Sequence, residues 1–144
     1  MSASRILLGS VAILFGLASS SNAEIVIRKS GSQFARIDDQ GTIRISGQAV
    51  GRYESNGTIR KKGVAVGKIE SNGTIRRSGQ AIGKIDTNGT LRRSGQAIGR
   101  VESGGTIRKQ SSAWGTASNC CGSFGGKKSV AAVLVFFADG YFKN

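Results

Sequence analysis

Residues 73–88 read Gly73-Thr74-Ile75-Arg76-Arg77-Ser78-Gly79-Gln80-Ala81-Ile82-Gly83-Lys84-Ile85-Asp86-Thr87-Asn88, and the chain aligns with itself at a shift of this same length. Blocks begin at 25, 41, 57, 73, 89 and 105, so six copies run from Ile25 to Cys120. Each block holds two apolar segments of strand length and two reversal signals, Ser78-Gly79 inside the unit and Asn88-Gly89 at its boundary. Segments such as Thr74–Arg77 and Gln80–Ile85 are too short for helices. The pattern therefore predicts an all-β fold of radially arranged β-hairpins closing around a hydrophobic centre.

The local detail follows from turn chemistry. Asn-Gly at 56–57, 72–73 and 88–89 suits a two-residue turn with positive φ at both positions. Ser-Gly at 46–47, 78–79 and 94–95, with Lys-Gly at 62–63, marks the other reversal. A two-residue Ser78-Gly79 turn pairs Arg77 with Gln80 and Ile75 with Ile82. Ile82 and Ile85 lie three apart, so Gly83 between them is read as a bulge that returns Ile85 to the buried face. Three apolar columns result: Ile27, Ile43, Ile59, Ile75, Leu91 and Ile107; then Phe34, Val50, Val66, Ile82, Ile98 and Trp114; then Ile37, Tyr53, Ile69, Ile85 and Val101. The same asparagines form Asn-Gly-Thr sequons at Asn56, Asn72 and Asn88, for which turn chemistry followed by a β-branched strand residue is the simpler explanation.

Both ends depart from the repeat. Residues 1–23 read as a signal peptide: Arg5 precedes the apolar stretch Ile6–Ala18, and Ser21-Asn22-Ala23 supplies a small-residue cleavage pattern. That predicts an exported protein, periplasmic or secreted, and leaves an uncleaved N-terminal membrane anchor as the alternative. Residues 24–144 form one β-repeat domain, with repeats at 25–120, a linker at 121–128 and an apolar plug at 129–138. The run Val130–Phe137 is too short to span a bilayer and apolar all round, so it must be buried as a short helix or a last strand. A membrane-inserting tail is the rival reading.

The sequence G-T-I-R-x-S-G-x-A-I-G-x-I-E-S-N, followed by a short alanine-aliphatic-Phe-Phe tail, resembles the five-fold β-flower family from Ile25 to about Phe137. The resemblance implies a shallow radial set of hairpins around a hydrophobic centre. It also implies a likeness in shape to the Tubby C-terminal domain and the phospholipid scramblases, where a β-barrel wraps an apolar helix and some members bind acidic phospholipids. It brings no established activity. Six blocks stand where five-fold symmetry wants five; the first lacks the Gly-Thr start and the last has Ser111 in place of the turn glycine, so one is expected to be a partial petal.

Lys and Arg number 21 against 8 acidic residues, a net charge of +13. Such an excess attracts anionic lipid or polysaccharide surfaces, and it also keeps a repetitive β protein soluble. One basic column is unbroken: Arg28, Arg44, Arg60, Arg76, Arg92 and Arg108. A second holds Arg36, Arg52, Lys68, Lys84 and Arg100, followed two residues on by Asp38, Glu54, Glu70, Asp86 and Glu102. The second column is read as structural, with neighbouring units bridged by surface ion pairs. The six arginines of the first are the candidate anionic-ligand site, because guanidinium forks suit phosphate.

No nucleophile–base pair can be assembled without histidine, and the chain has none. An enzyme is not expected, nor are a catalytic residue, a metal or a cofactor. Nucleic acid is not expected as a partner, since only nine aromatics are present and no interleaved stacking surface is apparent. Adjacent Cys120 and Cys121 are open to three readings: a strained vicinal disulfide, buried thiols, or links between chains. Two function classes stay in view. One is an exported, non-enzymatic, lipid-binding or glycan-binding module at an envelope surface. The alternative is a structural or assembly protein acting through protein contacts or homo-oligomerisation.

Overall fold

The computed structural model describes residues 24–143; the leader read at 1–23 lies outside the described residues. Six hairpins follow one another: β1 (Ile25–Lys29) with β2 (Ser32–Ile37), β3 (Thr42–Ile45) with β4 (Gln48–Tyr53), and β5 (Thr58–Lys61) with β6 (Val64–Ile69). The second half continues with β7 (Thr74–Arg77) and β8 (Gln80–Ile85), β9 (Thr90–Arg93) and β10 (Gln96–Val101), and β11 (Thr106–Lys109) and β12 (Ser112–Ser118). Each strand pairs antiparallel with its chain neighbours, and β1 pairs β12, which closes a twelve-stranded barrel. The first and last blocks are complete hairpins, so the symmetry is six-fold and no petal is partial. Closure leaves no sheet edge to pair with another chain.

Both reversals are expected to be two-residue turns, and only Ser-Gly forms one. Ser78 (φ +50°) and Gly79 (φ +84°) both take positive φ, as a tight two-residue hairpin turn requires. At the unit boundary only Gly73 does (φ +97°), and its N–H donates to the Glu70 carbonyl at 2.8 Å while Glu70 N–H donates to the Thr74 carbonyl at 2.8 Å. Asn72 instead turns its Oδ1 back to accept from Thr74 N–H at 3.0 Å. Asn-Gly is thus the end of a three-residue loop closed by a left-handed glycine. The longer loop joins neighbouring hairpins; the tight turn forms each tip.

The bulge is present in every hairpin but is centred one residue from where the periodicity put it. Ile75 faces Gly83 and Arg76 faces Ala81, so Ile82 is the extra residue, and Arg77 faces Gln80 as expected. The reason is space. A Cβ at Gly83 would stand 2.3 Å from the Arg92 carbonyl oxygen and 2.6 Å from the Phe142 ring. At Gly83 only a residue without a side chain fits the paired position, so the isoleucine beside it is displaced. In the first hairpin Ala35 takes the equivalent place opposite Ile27, and Phe34 is the bulged residue. The first apolar column is accordingly fully buried in all six copies. In the third, Ile37, Ile69, Ile85 and Val101 are buried and Tyr53 is half-buried. The second column is half-buried apart from Ile98, because it supplies the bulged residues.

The barrel is filled by α1 (Phe124–Phe136), with Val130–Leu134 wholly inaccessible to solvent. It starts inside the stretch read as a linker. Ser123 caps it, its Oγ accepting from Gly126 N–H at 3.1 Å. Gly126 serves close approach: a Cβ there would stand 1.7 Å from the Cys120 carbonyl oxygen. A helix apolar on every face is unstable in water, and here twelve strands surround it. After α1 the chain turns under the hairpin tips, burying Tyr141 and Phe142. The rings of Phe137, Phe136, Phe142 and Tyr141 sit over Gly51, Gly67, Gly83 and Gly99 in turn, one aromatic to each glycine. Trp114 continues this layer, edge-on to Tyr141 at 5.4 Å and to Phe34 at 5.9 Å.

Candidate functional site

Strand alternation separates the cations into two sets. Arg76 and its equivalents lie on the face opposite Ile75, outside the barrel, whereas Arg77 shares the inner face with Ile75. On the outside the two basic columns meet directly across the boundaries between hairpins: Arg36 opposite Arg44, Arg52 opposite Arg60, Lys68 opposite Arg76, Lys84 opposite Arg92, and Arg100 opposite Arg108. Arg28, opposite Thr116, completes an equatorial belt of eleven cations. Like charges facing one another are destabilising.

The carboxylates relieve part of this repulsion, and they do so on the column read as free. Arg60, Arg76, Arg92 and Arg108 each direct Nε to Glu54, Glu70, Asp86 and Glu102, all at 2.8 Å. Arg60, Arg76 and Arg92 also donate through a terminal nitrogen to the carbonyl of the next tip glycine, Arg76 reaching Gly79 at 3.3 Å. The boundary loop causes the pairing, because it sets Glu70 diagonally across from Arg76 and ties adjacent hairpins together. Asp38 behaves differently, its Oδ1 accepting from Gln40 and Thr42 N–H. Glu24 pairs with Arg36. Of the six arginines singled out in the sequence, only Arg28 and Arg44 have no carboxylate partner among the described residues. The second column, read as structural, contributes four more: Arg52, Lys68, Lys84 and Arg100. The spacing of six between carboxylate and arginine recurs five times, from Asp38–Arg44 to Glu102–Arg108, and four of the five form the pair.

Inside, a collar of Lys29, Lys61, Arg77, Arg93 and Lys109 surrounds the C-terminal end of α1, with Ile45 in the remaining place. Arg77 donates to the Val135 carbonyl at 3.4 Å, Arg93 to Phe142 at 2.6 Å, and Lys109 to Gly140. Lys61, Arg77 and Lys29 also lie over the rings of Phe137, Phe136 and Trp114. Of these carbonyls, that of Val135 belongs to the last turn of α1, at the negative end of the helix dipole, and those of Gly140 and Phe142 to the tail beyond it. The collar recurs at the sixteen-residue spacing as a third basic column, but its partners come from a segment outside the repeat, which periodicity does not place.

Between the tips the ladder stops. The last pair joining β8 to β9 is Gly83 with Arg93, and the tips beyond diverge. Two cavities of about 580 and 630 Å³ open there, floored by Phe142 and the C-terminal tail. At the opposite rim Lys127 and Lys128 donate to the loop carbonyls of Thr87 (3.3 Å) and Ser71 (3.4 Å), seating the start of α1. Beside it Cys120 and Cys121 form a vicinal disulfide where β12 leads into the helix. Among the described residues no group of three or more His, Cys, Asp or Glu side chains is placed to hold a metal ion. Among them, too, no helix is long and apolar enough to cross a membrane. Comparison with family models, curated proteins and solved structures gives no match to this chain.

Proposed function

We propose that the barrel is an exported, non-enzymatic binding module that holds anionic lipid or glycan at an envelope surface through its outer belt. The observation that carries this reading is the surplus: Arg28, Arg44, Arg52, Lys68, Lys84 and Arg100 lie on one circumference without carboxylate partners among the described residues. A belt of fixed cations on a closed barrel matches a repeating anion better than a small molecule, because the charges are spread and no single pocket gathers them. The twelve-stranded barrel around an apolar helix supports kinship in shape with Tubby-like and scramblase domains, and the hairpin repeat supports the β-flower family. The rival is an assembly module acting through protein contacts or self-association.

The test is co-sedimentation of residues 24–144 with anionic and zwitterionic vesicles, and with an acidic polysaccharide, across a salt series. Binding selective for one anionic partner and weakening steeply with salt is expected, since exposed charges are screened within about 10 Å at 0.1 M. Replacing Arg52, Lys68, Lys84 and Arg100 together by Gln should abolish it. Binding that ignores both salt and these substitutions would overturn the proposal in favour of the assembly reading.

A further inference from the structure

The clefts between the hairpin tips combine features that the outer belt lacks. The first lies between the tips of β5–β6 and β7–β8, and the second between those of β7–β8 and β9–β10; they share Arg77, Phe142 and Lys143. Their volumes of about 580 and 630 Å³ lie in the range of roughly 300–1,000 Å³ usual for small-molecule sites. Their apolar walls include the bulged residues Val66 and Ile82, half-buried because no neighbouring strand covers them, with Phe142 as floor. Lys61, Arg77, Lys84, Arg92, Arg93 and Lys143 line them, Arg92 already paired with Asp86, and among the described lining residues the one carboxylate is Asp139. At the lip of the first stands Val64, 65% exposed and the one large hydrophobic so exposed among the described residues. Three other hairpins place Gln48, Gln80 and Gln96 at that position.

We propose that these clefts form a groove for a single-chain amphiphile with an anionic headgroup. The chain lies along Val64, Val66, Ile82 and Phe142, and the headgroup meets Lys61, Arg77 and Lys143. A soluble polyanion gains nothing from the apolar walls, and a neutral lipid leaves the cations unused; an amphiphilic anion satisfies both. The cations that meet the headgroup, Lys61, Arg77 and Lys143, are not members of the belt, although Lys84 and Arg92 in the wall of the second cleft are.

The test is isothermal titration of residues 24–144 with dodecyl phosphate and with dodecanoate, each below its micelle concentration, beside inorganic phosphate and dodecyltrimethylammonium. The two anionic amphiphiles distinguish a phosphate from a carboxylate headgroup. At least one should bind ten-fold or more tighter than both inorganic phosphate and the cationic surfactant. Val64→Glu sets a negative charge at an exposed lip and Ala81→Trp fills the second cleft, and neither touches the core. A ten-fold loss in either variant, with unchanged thermal unfolding and with Lys68→Gln binding as the parent does, supports the groove. Equal affinity for the cationic surfactant, or unchanged affinity in both variants, overturns it.

Discussion

At the loop rim, Gly89 follows Asn88 with φ +95°, and a Cβ added there would stand 1.9 Å from the Val101 carbonyl oxygen. At the tip rim, Gly79 follows Ser78 with φ +84°, and a Cβ added there would meet nothing within 4 Å. Both glycines recur through the repeat and both have left-handed backbone, yet one is a packing element and the other only a turn. The difference runs through the whole molecule. At the loop rim the carboxylate–arginine pairs bridge adjacent hairpins, and the Phe124 ring comes within 3.2 Å of the Cβ position at Gly73. At the tip rim the hairpins part company and the two larger clefts open between them. One repeated sequence therefore builds a tighter base, with a cavity of about 310 Å³ beside the start of α1, and a divergent rim whose clefts are about twice that size.

The sharpest way to break this comparison is to put the same methyl group at each rim. Gly89→Ala incurs left-handed backbone strain of roughly 1–2 kcal/mol and a displacement of the Val101 strand costing about 1–3 kcal/mol, together about 2–5 kcal/mol. Gly79→Ala meets the first cost alone, about 1–2 kcal/mol. Urea midpoints of the two variants, read at equal slope, measure the gap. Equal destabilisation would mean that the loop rim yields as freely as the tips do.

Legibility followed the origin of each constraint. The hairpin length, the tip pairing of Arg77 with Gln80, the closed radial array and the apolar filler all follow from relations inside one sixteen-residue unit, or from a run with nowhere else to go. The displaced Ile82, the aromatic seated over each of Gly51, Gly67, Gly83 and Gly99, and the collar from Lys29 to Lys109 depend on the tail beyond the repeat. No periodicity encodes that tail's path. The turn type at Asn-Gly lies between these cases. Asn-Gly is compatible with either a two-residue turn or the end of a three-residue loop, and the Glu70–Gly73 hydrogen bond that decides is tertiary in its consequences. The belt itself was legible as two columns, but which column carries free charge turned on that same loop.

The tip rim also has a titratable reporter. Tyr141 is buried against Trp114, and its hydroxyl donates to the Arg108 carbonyl. Burial pushes its pKa above the ordinary 10.0, against the opposing hydrogen bond from the Arg100 backbone. A phenol held neutral in the folded state stabilises fully below its unfolded pKa, and that contribution is lost as pH rises towards the folded value. Thermal unfolding should therefore fall more steeply above pH about 10 in the parent than in Tyr141→Phe. Parallel alkaline limbs in the two proteins would show that water reaches the layer beneath the tips.

The smallest effects separate two neighbours on one strand. Arg76 points outward to Glu70, with side chains 38% and 33% exposed, and Arg77 points inward to the Val135 carbonyl and the Phe136 ring. Arg76→Gln should cost no more than about 1 kcal/mol at low salt, because an exposed pair gains little over hydration. That cost should vanish at 1 M salt, where screening acts within about 3 Å. Arg77→Gln should cost a similar amount, about 0.5–1 kcal/mol for the ring contact, but part of it should survive high salt. The guanidinium and its methylene stem cover the Phe136 face, and apolar coverage is not screened. Denaturation at both ionic strengths therefore sorts the two arginines by mechanism rather than by size. A salt-insensitive loss at Arg76 would point to a belt that holds the hairpins together by more than charge.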